Sequence, residues 1–134
     1  MAKQAFTNAN ITLAGTDISA YVKQVTLTVS AAELETTAMG ATAKSRIAGL
    51  KDHKVQIELF QDFSPVEGLV YPLIGGTAVT MVIKPNGTAT ASTANPQYSF
   101  SVLCTEWNPV SGAVGDVMTS SQTWPISGDI TKTP

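Results

Sequence analysis

The 134-residue sequence predicts a mainly β fold. The expected form is an antiparallel β-sandwich or barrel with one or two short helices and a long inter-strand loop. Three observations predict it. Short segments alternate apolar and polar residues with a period of two. Those segments are rich in β-branched and aromatic residues. Gly, Pro, Asn and Asp punctuate the chain between them. The length fits a single β domain over 1–134, with 31–53 as a long assembly loop and 125–134 as a C-terminal tail. A chain of this size buries about two-thirds of its unfolded surface and needs no disulfide to hold a core.

The elements follow in order. "NITLAG", 10–15, reads as a short strand, and Asp17 in "GTDISAYV" as a turn or cap residue ahead of one helical turn. "VKQVTLTVS", 22–30, places Val25, Leu27 and Val29 on one face and Gln24, Thr26 and Thr28 on the other. "KVQIELF", 54–60, does the same with Val55, Ile57 and Leu59 against Gln56 and Glu58. Pro65 near a helix start and the glycine pair at 75–76 bracket a short helix over Val66 to Ile74, interrupted by Gly68 and Pro72. "AVTMVIK", 78–84, is a strand with apolar residues on both faces, and 85–97 is a polar loop opened by Pro-Asn-Gly. "YSFSVLCTEW", 98–107, is a strand with Tyr98, Phe100, Val102 and Cys104 on one face. A turn and a last strand, "VMTSSQTW", follow, and the tail from Pro125 is expected to be mobile in isolation.

The connection between Val29 and Lys54 does not fit this economy. Antiparallel neighbours need loops of about two to five residues. This one is far longer, and it carries Leu34, Met39, Ile47 and Leu50, which a solvated tether would lack. A hidden hairpin, or a short helix around "AAELETTA", is one explanation. The other is that these side chains bury against a neighbouring copy, at about 1.5–3 kcal/mol each before ordering costs. Lys44, Arg46 and Lys51 are then expected to pair with Glu33, Glu35 or Asp62 across the seam, giving registration more than adhesion. The candidate subunit interface is therefore Leu34, Met39, Lys44, Arg46, Ile47 and Leu50.

Composition points the same way. Charged residues make up 13% of the chain, against about 25% in a typical soluble domain. Ser and Thr take their place, and such a surface is cheaper to cover with neighbours. The eight Lys and Arg are dispersed and the net charge is -2, so no nucleic-acid-binding stripe is present. No 18-residue apolar run exists and the N-terminus shows no apolar leader, so neither a membrane span nor secretion is expected. The sequons at Asn10 and Asn86 are then chance matches. Cys104 is the only cysteine and His53 the only histidine. They cannot build a zinc site between them, and no nucleophile elbow, P-loop or dinucleotide fingerprint occurs. The sequence therefore predicts no enzyme, cofactor or metal site.

The run "ETTAMGATAKSRIAGLKDHKVQIELFQDF" passes from an acidic-Thr-small-Gly stretch through a basic residue and a "GLKD" turn to a strand ending in an aromatic and Asp. Together with "YPLIGGTAVTMVIKP" and "NPQYSFSVLCTEWNPVSGAVGDVMTSSQTWPISG", it resembles the major tail, or tail tube, proteins of long-tailed bacteriophages. The likeness is to small versions from phages of actinobacteria and covers about residues 10–128. The extra C-terminal immunoglobulin-like domain that some relatives carry is not expected. The resemblance implies a structural virion protein, made in the host cytoplasm, that forms a homo-oligomer. Hexameric rings would stack into a tube beside other phage tail proteins. The long loop would reach between subunits or rings, and genomic DNA would pass through the tube without specific binding. An acidic or neutral lumen would let DNA slide, with Glu58 and Asp62 as possible lumen-facing residues. Two other functions suit a small β domain. One is a capsid-decorating or head-completion protein; the other is a carbohydrate-binding module that stacks sugars on Trp107 and Trp124, although these tryptophans also suit the ends of a core.

Overall fold

The structure is a computed structural model and describes residues 7–87 and 90–133. Part of the N-terminal stretch read for a leader, two residues of the polar loop and the last residue of the tail lie outside the described residues.

The strands are β1 (Asn10–Leu13), β2 (Thr16–Asp17), β3 (Val22–Thr28), β4 (Ala31–Glu35), β5 (Arg46–Lys51), β6 (Lys54–Phe60), β7 (Val79–Lys84), β8 (Gln97–Val102) and β9 (Thr119–Thr133). One helix, α1 (Pro65–Val70), runs into a 3₁₀ turn at Tyr71–Leu73, and another 3₁₀ turn covers Ser19–Tyr21. Seven strands form one antiparallel sheet in the order β2-β1-β7-β8-β9-β6-β3, and β4 and β5 form a separate two-stranded sheet. The mainly β, antiparallel expectation holds. Its form is a single sheet curled into a half-barrel.

The curl comes from β9. Its first part pairs with β6 from Thr119↔Phe60 to Pro125↔Lys54, and its second part pairs with β8 from Ile126↔Val102 to Thr133↔Gln97. The chain from 125 onward is thus the continuation of a strand, where the sequence suggested a mobile tail. Proline in a strand normally marks an edge because it cannot donate to the ladder. Here the Pro125 carbonyl accepts from the Leu103 N–H at 3.0 Å. The Pro125 nitrogen therefore also faces the irregular 103–111 segment, where no ladder bond is required.

The concave side holds the core. Val55, Ile57 and Leu59 of β6 share it with Met81 and Ile83 of β7, Phe100 and Val102 of β8, and Trp124 and Ile126 of β9. Val66 and Val70 of α1 close one end. The alternation read from 54–60 reappears as buried Val55, Ile57 and Leu59 between outward Lys54, Gln56, Glu58 and Phe60. Trp124 is fully enclosed, and its indole N–H donates to the Glu106 carbonyl at 2.7 Å. Burial pushes the Cys104 thiol up to about 11, as befits a core cysteine.

The segment 98–107 is strand only as far as Val102. Beyond it the chain leaves the ladder and runs as a strap along the first part of β9. Asn108 Nδ2 donates to the Ser121 carbonyl at 2.5 Å, and the Thr119 N–H donates to Ser111 O at 3.1 Å. The strap thus occupies the edge of β9 that β8 would otherwise extend along, opposite the edge paired with β6.

The second part of β9 carries Ile126 and half of the joint between the two sheet halves. Truncation after Trp124 is therefore expected to abolish cooperative unfolding, where removal of a mobile tail would leave it intact. A thermal melt followed by near-UV circular dichroism distinguishes the two.

Candidate functional site

The long connection is a β-hairpin. Leu34 pairs with Ile47 and Glu35 with Arg46, and a bulge lies between Ala31 and Glu33. The ladder extends through Thr36 N–H to Ser45 O at 2.7 Å. At the tip the Ala41 N–H closes on Ala38 O at 3.2 Å, with Gly40 at a φ of 92°. That left-handed third position is what glycine supplies in such a turn, and it leaves Met39 at the crest. Glu33, Leu34, Glu35, Ile47 and Ala48 were not legible as strand because Ala and Glu favour helix and are depleted in strands.

The main contacts of β4 and β5 are with each other. Every residue of β4 is exposed, and so is every residue of β5 except Gly49. Met39 is 104% exposed, Leu50 87%, Ile47 57% and Leu34 49%. Cross-strand pairing puts Ala32, Leu34, Ile47 and Gly49 on one face. Leu34 lies across Gly49, where an added Cβ would meet it at 3.3 Å. The other face is charged. Arg46 Nε sits 2.5 Å from Glu33 Oε1, and Lys44 Nζ sits 3.7 Å from Glu35 Oε1. These pairs, expected across a seam between copies, join the two arms of one hairpin. Lys51 likewise meets Asp129 of its own chain at 3.1 Å and not Asp62. Exposed pairs of this kind each contribute about 0.2–1 kcal/mol, enough to favour the hairpin register without anchoring it.

The base of the hairpin is held more firmly. His53 is buried although lysines stand at 51 and 54. Its Nδ1 accepts from the Ser30 N–H at 3.2 Å, so Nε2 carries the proton and donates to Asp129 Oδ1 at 3.0 Å. Ser30 Oγ donates to the Asp52 carbonyl, and the Asp52 N–H donates to Ser30 O at 2.9 Å. Asp129 reaches this position from an irregularity in β9, where Ser99 pairs with Thr131 but Ser101 pairs with Ser127. Gly128, at a φ of 93°, supplies the left-handed residue of that bulge. Sequence reasoning missed this latch, because nothing local to a lone histidine signals a partner 76 positions away.

The lumen candidates separate. Glu58 lies on the convex face of the sheet, 3.4 Å from Lys23 Nζ. Its register neighbours there are Gln24 and Ser121. With Thr26, Thr28, Gln56 and Thr123 they make a face of hydroxyls and amides. Asp62 is off the sheet, in the turn before α1, where its Oδ1 accepts from the Ser64 N–H at 3.2 Å. The tryptophans separate too. Trp124 is in the core, so the sugar platform imagined from Trp107 and Trp124 does not exist. Among the described residues, no group of three or more His, Cys, Asp or Glu could hold a metal ion. Among the described residues, no helix is long and apolar enough to cross a membrane.

A second exposed apolar region lies around α1 and the strap. Phe63 and Tyr71 stand out from α1 and its 3₁₀ turn, around a hollow of about 300 Å³ lined also by Glu67, Gly68 and Pro72. A neighbouring hollow of about 280 Å³ lies between Tyr71, Ile74, Trp107 and Pro109.

Several solved structures share this fold. A chain of the virion of a native gene transfer agent particle matches with a TM-score of 0.75 at 10% identity, over 98% of this chain and 100% of that one. A chain from the sheath/tube terminator, in the extended state, of an extracellular contractile injection system matches with a TM-score of 0.73 at 9% identity, over 100% and 99%. A chain of the tail of an empty gene transfer agent particle, refined with C6 helical symmetry, matches at 0.58 and 9%, over 85% and 83%. At these identities the likeness is one of fold. No protein-family model and no curated protein matches the sequence.

The Ile130 N–H, Lys51 and His53 together hold the Asp129 carboxyl down to about 2, below its ordinary value of 3.8. A carboxylate depressed in the folded state contributes stability above its unfolded pKa and loses it as pH falls through the folded one. The hairpin base is thus expected to loosen between about pH 4 and pH 2. An Asp129→Asn variant should lack that transition in the Ser30 amide NMR shift, while the wild type shows it.

Proposed function

We propose that this chain is a structural virion protein of the phage-tail type, whose copies close into hexameric rings that stack as a tube for DNA. The observation that carries the reading is the hairpin. It is ordered by its own ladder and latched at its base, yet its apolar face finds no cover in its own chain. Solvent exposure of Met39, Leu34, Ile47 and Leu50 is a cost that a neighbouring copy removes. The shared fold with chains of gene transfer agent and contractile injection particles supports the reading, because those chains come from a virion, a sheath/tube terminator and a tail.

In this reading Leu34, Met39, Lys44, Arg46, Ile47 and Leu50 form the contact between copies. The convex face of β3, β6 and β9 lines the lumen. Its hydroxyls and amides offer a phosphate backbone little fixed charge to hold: Lys23 is neutralised by Glu58, and Lys54 lies at the hairpin end. Edge strand β3 pairs across the ring, which covers an otherwise open edge. Other tail proteins would meet the ends of the tube, and the mature location would be the virion.

The likeness to the sheath/tube terminator favours one other reading, a ring that ends a tube without propagating it. Negative-stain microscopy of concentrated protein separates them: stacked tubes favour the tube protein and single rings the terminator. A persistent monomer at high concentration would remove both.

Met39→Asp combined with Ile47→Asp is expected to abolish assembly in sedimentation velocity. Both side chains are outside the core, so the monomer should keep its stability to within about 0.5 kcal/mol per site. Unfolding of this variant would show that the hairpin belongs to the home fold.

A further inference from the structure

One side of α1 is not used by the fold. Val66 and Val70 turn into the core. Glu67 and Tyr71, four residues apart, share the outward side with Gly68 and Pro72. With Phe63 from the preceding turn they line the hollow of about 300 Å³. Both aromatic rings are exposed. Glu67 is half-buried, and among the described residues no Lys or Arg pairs with it.

Gly68 has no reason within the fold to be glycine. In a helix glycine costs about 1 kcal/mol relative to alanine, and a helix of six residues is marginal to begin with. The Gly68 backbone is not left-handed, and a Cβ added there would meet nothing within 4 Å. Neither conformation nor close packing calls for the missing side chain. What its absence does is keep the hollow open.

The lining selects a ligand. Two aromatic rings beside one unpaired carboxylate suit a cation. A guanidinium suits them better than an ammonium, because it is flat and weakly hydrated and can stack on a ring while its edge pairs with a carboxylate. The surroundings carry the same sign. Asp62 opens the turn before α1, and no Lys or Arg occurs at 55–83 or at 85–131. The only arginine of this chain, Arg46, is engaged by Glu33 of its own hairpin, so a second copy does not supply the cation. The adjoining hollow, between Tyr71, Ile74, Trp107 and Pro109, shares Tyr71 and carries no charge.

We propose that the hollow on α1 is a docking socket for an arginine side chain of a different protein, with an apolar residue next to that arginine seated between Tyr71 and Trp107. The guanidinium lies against Phe63 and Tyr71 and donates to the Glu67 carboxylate. The proposal takes from the virion reading only that the partner belongs to the same particle. It does not depend on how copies of this chain stack.

Fluorescence anisotropy of a fluorescein-labelled Gly-Ser-Arg-Leu-Ser-Gly peptide tests it on the full chain, and reads binding to a monomer, a ring or a tube alike. Saturable binding is expected. The same peptide with citrulline, which keeps the shape of arginine without its charge, should bind several-fold more weakly, and so should the lysine peptide. Glu67→Gln should lower the arginine peptide to the citrulline level. Gly68→Leu should abolish binding while circular dichroism shows a melt no lower than that of the wild type, because the new side chain points into the hollow and meets no neighbour. No saturable binding, equal affinity for citrulline or lysine, or binding that survives Gly68→Leu would overturn the socket. A monomer that binds the peptide would keep the socket and remove the tube reading. Tubes that do not bind it would remove the socket and leave the tube reading standing.

Discussion

Everything in the molecule is registered by one strand that changes partners. β9 ties β6 to β8 without a break in the chain, so the two halves of the half-barrel cannot separate while it stays paired. The change of partner falls at Pro125 and Ile126. The Ile126 N–H donates to the His53 carbonyl at 3.0 Å. The residue that begins the β8 pairing thus also fixes the last residue of the hairpin base. Three positions further on, the Gly128 bulge turns Asp129 toward His53 and Lys51. One strand sets the curl of the sheet, encloses Trp124 and aims the latch.

The latch explains how an exposed hairpin can have a direction. Its arms are joined by a ladder and by weak surface pairs, which fix its internal register but not its angle to the sheet. Orientation comes from the base, where a buried imidazole bridges the Ser30 N–H and Asp129. A buried polar group with both ring nitrogens satisfied resists displacement, because either bond lost inside the protein leaves an unpaired atom. The projecting element is therefore pre-aimed. A pre-aimed element loses less conformational entropy on contact than a flexible loop of the same length.

Much of this was legible from residue patterns, and what was not has physical reasons. Alternation in 22–28 and 54–60 identified β3 and β6 and their buried faces, because a period-two pattern with β-branched residues has few other uses. Pro65 marked the start of α1 by the usual logic of the first helical turn. The exposed hydrophobes of 31–53 were also readable, because their burial in a small domain would have needed a partner strand that the chain does not offer. The hairpin was one of the explanations the sequence left open, and Ala and Glu, whose local preference is helical, kept it from being chosen over a helix or a loop. The continuation of β9 was hidden by Pro125, since sequence cannot reveal that its missing donor would face an irregular strap. The latch was hidden because it is wholly long-range.

The low charge of the chain now has a location. Hydroxyls and amides concentrate on the convex face of β3, β6 and β9, while Lys44, Arg46 and Lys51 at the hairpin end are balanced by Glu35, Glu33 and Asp129. A surface with little fixed charge holds a polyanion weakly, whereas exposed apolar residues such as Leu34, Met39, Ile47 and Leu50 offer adhesion. Folding uses the concave face alone. The side of the sheet and its two ends are left free to diversify for contact without disturbing the core. That separation accounts for a fold shared at about one-tenth sequence identity with chains of quite different particles: an alternating inner face with a bent closing strand is enough to specify the half-barrel, and the outward residues are constrained only by what each assembly must touch.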